Sequence, residues 1–172
     1  MDLETILKAG EKHFFAKQYN DVKLDNIANE LKIKKPSLYY YFENKRDFFI
    51  KTLSYSMKKY IVKLREVIGK QDLDAFVHRY LDYPSQHKNL FAIASHKGYG
   101  DDKEINTTIM RGKQVINTET AAFLKSYDLS NIQIYLISNL MDKLAMDNCI
   151  DGYCLDYSID DLSAEIEQMI TS

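Results

Sequence analysis

Between Lys32 and Arg46, five basic residues (Lys32, Lys34, Lys35, Lys45 and Arg46) stand against one acid, Glu43. Ser37 and the consecutive tyrosines Tyr39, Tyr40 and Tyr41 share that stretch. Cationic heads neutralise phosphates, hydroxyls bond phosphate and sugar oxygens, and aromatic faces meet thymine methyls, so this mixture predicts contact with a nucleic acid duplex. The charge is distributed to match. Residues 1–60 carry 12 Lys/Arg against 8 Asp/Glu, a net of +4, whereas residues 61–172 carry 11 against 17, a net of −6. A small basic segment on an acidic body suits a head that binds a polyanion. Other chemistries find no support. His13, His78, His87 and His96 show no HExxH or comparable ligand spacing, and Cys149 and Cys154, five apart, form neither a CxxC pair nor a zinc knuckle. Without a nucleophile–base constellation either, neither an enzyme nor a metal or cofactor site is expected.

Helices must position these groups. The chain is 45% hydrophobic and 28% charged, with two prolines and six glycines in 172 residues, so it is globular with few helix breakers. No segment shows sustained strand alternation. The expected fold is all-α with about nine helices: a three-helix helix-turn-helix domain over 1–45 and a helical bundle over 46–172. Asp2 is the expected N-cap of a first helix that carries Ile6, Leu7, Phe14 and Phe15 and ends near Gln18. Leu24, Ile27, Ala28 and Leu31 recur at i, i+3, i+4 and i+7, which predicts a second helix over 24–31. After a turn at Lys32-Ile33-Lys34, Pro36 stands where a helix start tolerates it, and a third helix is expected over 35–41. Two short helices joined by a tight turn, the second basic and hydroxyl-rich, describe a helix-turn-helix, in which the first helix holds the second against the major groove. A long helix is expected over 45–68, stopped by Gly69, and others over 72–82, 85–96, 103–126, 129–148 and 159–170. The breaks are expected at Tyr83-Pro84, Gly98 to Asp101, Asp128 and Asp151-Gly152.

The run Ile27-Ala28-x-x-Leu31-x-Ile33-x-Lys35-Pro36-Ser37-Leu38-Tyr39-Tyr40-Tyr41-Phe42-x-Asn44-Lys45-Arg46-Asp47-Phe48 resembles the DNA-binding signature of TetR-family (tetracycline-repressor-like) transcription regulators. The resemblance covers about residues 4–50, with Ile6, Leu7, Phe14 and Tyr19 at the family's apolar positions upstream. It implies that Lys35, Ser37 and Tyr41 approach base edges or the adjoining backbone, and that Tyr39 and Lys45 meet phosphate. Lys34 and Tyr40 flank these positions, and Leu38 and Phe42 match core positions that anchor the recognition helix. Lys32 stands where the family usually has Gly, so the turn either differs or carries strain there. Lys23 replaces the usual Ser/Thr cap of the second helix and is expected to contact phosphate as an ion instead.

The body offers fewer signals. Over 129–148, Ile132, Leu136, Leu140 and Leu144 form one apolar row, and Ile134, Ile137, Met141 and Ala145 form another. A surface helix needs one stripe, so two rows imply two partners, the domain core and a second subunit. The last helix adds Ile159, Leu162, Ile166 and Met169. The resemblance implies a homodimer through these two helices, reading a pseudo-palindromic double-stranded operator with recognition helices roughly 34–36 Å apart. Aromatic, aliphatic and sulfur side chains that could line a small-molecule pocket are Tyr60, Leu64, Phe76, Tyr80, Phe91, Met110, Phe123, Tyr135 and Met141. The expected function is therefore a repressor released from its operator by a small apolar or aromatic ligand. The alternative keeps the fold but acts through a protein partner, as coactivator or DNA-bound scaffold. No apolar run approaches the roughly 18 residues of a membrane span. The acidic start, Met1-Asp2-Leu3-Glu4, lacks a signal peptide's basic region, so a cytoplasmic location is expected.

Overall fold

The computed structural model describes residues 1–86, 102–150 and 158–171. Among them lie α1 (Leu3–Phe14), a 3-10 helix (Tyr19–Asp21), α2 (Leu24–Glu30), α3 (Lys35–Leu38), α4 (Lys45–Gly69), α5 (Leu73–Gln86), α6 (Lys103–Lys125), α7 (Asn131–Ile150) and α8 (Ile159–Thr171). There is no strand among the described residues. The fold is all-α, as the composition and periodicity require. The expected helix over 85–96 falls outside the described residues except at its start, where 85 and 86 belong to α5. Phe91, His87, His96, Cys154 and the breaks at Gly98 to Asp101 and Asp151-Gly152 also lie outside them.

Local chemistry sets the helix ends. Asp2 caps α1 as expected, accepting from the Thr5 amide at 2.8 Å. That helix stops at Phe14, earlier than the sequence suggests, because the buried Phe14 and Phe15 turn into the core of the head. Asn44 caps α4 by accepting from the Asp47 amide at 2.9 Å. The stop of α4 differs from expectation. Gly69 is its last helical residue, and the left-handed residue after it is Gln71, at φ 53°. Pro84 does not break α5, which continues to Gln86. A proline removes its own backbone bond, but the buried Tyr80, Leu81 and Tyr83 hold this turn against the core.

Two apolar cores are strung on shared helices. The head core joins Ile6, Leu7 and Phe14 of α1, Leu24, Ile27 and Ala28 of α2, Leu38, Phe42, and Phe48, Phe49 and Leu53 of α4. Ile105 and Ile109, from the first turns of α6, complete it. The body core joins Leu64 of α4, Phe76, Val77, Tyr80 and Leu81 of α5, Phe123 and Leu124 of α6, four residues of α7 (Ile134, Ile137, Met141 and Ala145), and Ile166 and Ile170 of α8. Both α4 and α6 therefore run from one core into the other.

Lys32 keeps the helix-turn-helix geometry at a cost. Its φ is 55°, in the left-handed region, and it lets the Ile33 amide reach the Ala28 carbonyl at 2.9 Å. A non-glycine residue pays roughly 1–2 kcal/mol there. Glycine's larger unfolded-state entropy offsets some of that, so Lys32→Gly is expected to stabilise the chain by about 0.5–1 kcal/mol. A higher midpoint in urea denaturation, at unchanged slope, would record it.

Candidate nucleic-acid interface

The recognition segment is built from the inside outward. Ile27 and Ala28 of α2 are buried against Leu38 and Phe42, so α3 is anchored by its apolar side. Pro36 occupies its first turn, where a missing N–H is harmless. With Leu38 turned inward, Lys34, Ser37, Tyr39 and Tyr40 are left on the outside, Tyr40 being 85% exposed and Tyr39 48%. Lys23 is also exposed at the start of α2 and makes no side-chain cap bond.

Three other expected contacts have partners within the chain. Lys35 pairs with Asp25 at 2.9 Å, both half-exposed, an arrangement that a phosphate or base can displace cheaply. The Tyr41 hydroxyl donates to the Met1 carbonyl at 2.9 Å. Lys45 is the third. Its ammonium turns inward, donating to the Tyr19 carbonyl at 2.5 Å and lying 4.4 Å from the Tyr19 ring centre. Burial lowers its pKa. At the start of α4 it ties the 3-10 helix to the head.

Arg46, the last of the five basic residues between 32 and 46, grips the start of α6 with its guanidinium. Nε donates to Asp102 Oδ2 at 2.5 Å, Nη2 to Asp102 Oδ1 at 2.7 Å, and Nη1 to Glu104 Oε2 at 2.7 Å. Asp102 is the N-cap of α6 and accepts from the Glu104 and Ile105 amides as well. The guanidinium, with those amides, holds its carboxyl at about 2, below the usual 3.8. A lowered carboxyl stabilises the fold above its ordinary value, and that contribution disappears as pH falls through about 2. No spacing rule links residues 46 and 102, so the sequence held no sign of this contact.

In the body, six of the expected pocket residues are buried: Tyr60, Leu64, Phe76, Tyr80, Phe123 and Met141. Tyr60 stacks on Tyr83 at 4.1 Å, and Phe76 lies 4.4 Å from Phe123. The Tyr83 hydroxyl meets that of Ser56 at 3.0 Å, and Tyr80 donates a short hydrogen bond to Asp142. Burial pushes the Tyr83 hydroxyl up to about 12 and raises Tyr60 and Tyr80 too, so all three stay protonated. Arg79 Nε is buried there without a hydrogen-bond partner. Met110 and Tyr135 depart from expectation. They are 70% and 68% exposed, because each sits on the helix side opposite the stripe that packs inward. A separate open groove of about 220 Å³ runs between α4 and α6, over Met57, Ile61 and Val115.

The two rows of α7 separate as the sequence suggests. Ile134, Ile137, Met141 and Ala145 are buried in the chain's own core. Ile132 and Leu136 are 72% and 59% exposed, and Leu140 and Leu144 are half-buried. On α8, Met169 is 49% exposed while Ile166 is buried.

Residues 6–52 match the family model described as bacterial regulatory proteins, tetR family. Over that stretch, which is the helix-turn-helix head, the chain is similar to the tetR family of bacterial regulators. The whole fold is also shared. FadR, a fatty acid degradation regulator from Bacillus halodurans, superposes with a TM-score of 0.72 at 16% identity, over 99% of this chain and 98% of that one. FadR from Bacillus subtilis in complex with stearoyl-CoA gives 0.73 at 15% identity, over 99% and 98%. A transcriptional regulator from Aquifex aeolicus VF5 gives 0.70 at 16% identity, over 96% and 95%. A comparison with curated protein sequences finds no match. Among the described residues, no helix is long and apolar enough to cross a membrane.

Proposed function

We propose that this chain is a TetR-family, homodimeric repressor that binds a pseudo-palindromic operator and is released from it by a small ligand with a largely apolar body. The observation that carries the reading is the display on α3: Lys34, Ser37, Tyr39 and Tyr40 face outward while Leu38 and Phe42 lock the helix to the head. On this reading Lys34 and Lys23 contact phosphate, Ser37 and Tyr40 approach bases, and Lys35 and Tyr41 join them by exchanging an internal partner for the duplex. The exposed row of α7, Ile132 and Leu136, supports a two-fold mate packed there together with α8. In the body, the Tyr60, Tyr80, Asp142 and Arg79 groups place a few polar atoms amid aromatic side chains, the composition of a ligand site. The Bacillus subtilis FadR of the same fold was crystallised with stearoyl-CoA, which makes long-chain acyl compounds the first ligands to screen.

The test is fluorescence anisotropy with duplexes from the chain's own promoter region. Binding should weaken steeply with salt, the log–log slope being about −0.9 per phosphate neutralised. Lys34→Ala should weaken operator and unrelated DNA alike and make that slope shallower by about one. Lys35→Ala should cost about 1–3 kcal/mol and relax specificity at one base pair if it reads one. Failure to bind any duplex would end the repressor reading.

A further inference from the structure

Arg46 is a cation of the recognition region that the fold directs away from α3. It is the second residue of α4, immediately behind the head, and its three charge-assisted hydrogen bonds reach residues 56 and 58 positions away. Two of them go to one carboxylate, that of Asp102, as parallel bonds from a planar fork, which fixes direction as well as distance. That carboxylate also caps α6, so a force on it is transmitted to the helix axis.

The location makes this contact more than one ion pair among many. Both α4 and α6 cross the head and body cores, and the angle of the head depends on the register between them. Ile105 and Ile109 hold that register only by apolar contact, which is non-directional and lets neighbouring helices slide by small amounts. The Arg46 fork does not slide. Other basic residues of α4 pair differently: Lys51 with Asp47 on its own helix, and Lys59 with Glu11 of α1 inside the head. Arg65 does reach Glu119 of α6, but on the surface of the body, far along both helices from the head, and through one carboxylate oxygen.

We propose that Arg46 is a positioning residue for operator binding, which sets the angle of the recognition helix through Asp102 and Glu104 and does not itself contact phosphate. The inference rests on the DNA-binding dimer proposed above. A dimer must seat two heads on two half-sites at once. A head whose angle wanders meets the second half-site less often, and operator affinity falls. Unrelated DNA, bound through scattered phosphates, makes no such demand.

Three variants of the full chain separate this role from a phosphate contact: Arg46→Gln, Arg46→Lys and the pair Asp102→Asn with Glu104→Gln. Asparagine still caps a helix, so α6 keeps its start. Affinity is measured at fixed salt for a promoter duplex and for an unrelated duplex of equal length. All three should weaken promoter binding by about fivefold, the size of one well-formed ion pair, and leave unrelated DNA unchanged. Combining Arg46→Gln with the carboxylate pair should add nothing further. A phosphate contact gives the opposite pattern. Lysine would then replace arginine fully, Arg46→Gln would weaken both duplexes, and removing two negative charges would strengthen binding. That pattern, or no change in any variant, overturns the proposal. Hydrogen exchange provides a readout without DNA. Arg46→Gln should speed exchange in the first turn of α6, and unchanged exchange refutes the clamp even if the wild type binds no duplex.

Discussion

Gly10→Val is expected to cost about 4 kcal/mol or more of stability and to abolish operator binding. A Cβ at Gly10 would lie 2.6 Å from Thr52 Oγ1 and 2.8 Å from Phe48 Cε2, so α1 and α4 touch there through the missing side chain. Neither neighbour can yield. The Thr52 hydroxyl is buried and donates to the Phe48 carbonyl at 2.8 Å. Phe48 is fully buried, stacked on Phe42 at 4.1 Å and edge-on to Phe14 at 5.3 Å. Any shift of Phe48 would disturb Phe42 and hence the seat of α3. Gly69 is the control, since nothing lies within 4 Å of its added Cβ. Gly69→Ala should be neutral or gain up to about 1 kcal/mol from helix propensity. Urea denaturation with anisotropy on the same samples decides. A Gly10→Val chain as stable as the wild type would contradict the close approach of α1 and α4.

The second large effect concerns assembly. Ile132→Asp with Leu136→Asp should convert the dimer into folded monomers, raising its dissociation constant by at least about 100-fold. Both side chains are more than half exposed in the single chain, so the charges leave the protomer intact. Buried at a subunit interface, unpaired carboxylates cost several kcal/mol. Ile166→Asp should behave differently. Ile166 is 2% exposed within its own chain, and a charge there should unfold the body instead of separating the subunits. Light scattering combined with circular dichroism distinguishes the outcomes. A monomeric wild type at micromolar concentration would refute the pairing.

The sequence made legible whatever is carried by short-range pattern. The i, i+3, i+4 spacing located α2, the cap at Asp2 located the start of α1, and the double row of α7 resolved into one buried and one exposed face. Less legible were features decided by partners distant along the chain. Tyr135 and Met110 have the composition of pocket residues, yet the phase of the helix sends them outward. Lys45 and Arg46 both look like phosphate ligands, but one ammonium finds a backbone carbonyl and one guanidinium finds two carboxylates. Pro84 looks like a stop, and tertiary packing overrides it. The turn at Lys32 lies between these cases: the resemblance set a glycine there and left open a different turn or a strained one, and the structure shows a lysine in the left-handed region.

The sharing of α4 and α6 between two cores bears on how such a protein can be taken apart. A fragment ending at residue 45 would lack Phe48, Phe49 and Leu53, and even one ending at residue 52 would leave the sites of Ile105 and Ile109 open to water. The reader of DNA is therefore not a portable module. A chimera that transplants it onto another body must bring the first turns of α6 or supply apolar side chains in their place. Changes to the body along α4 and α6 must likewise respect packing inside the head. In this architecture the two halves are free to diverge only along the surfaces that these helices leave uncovered.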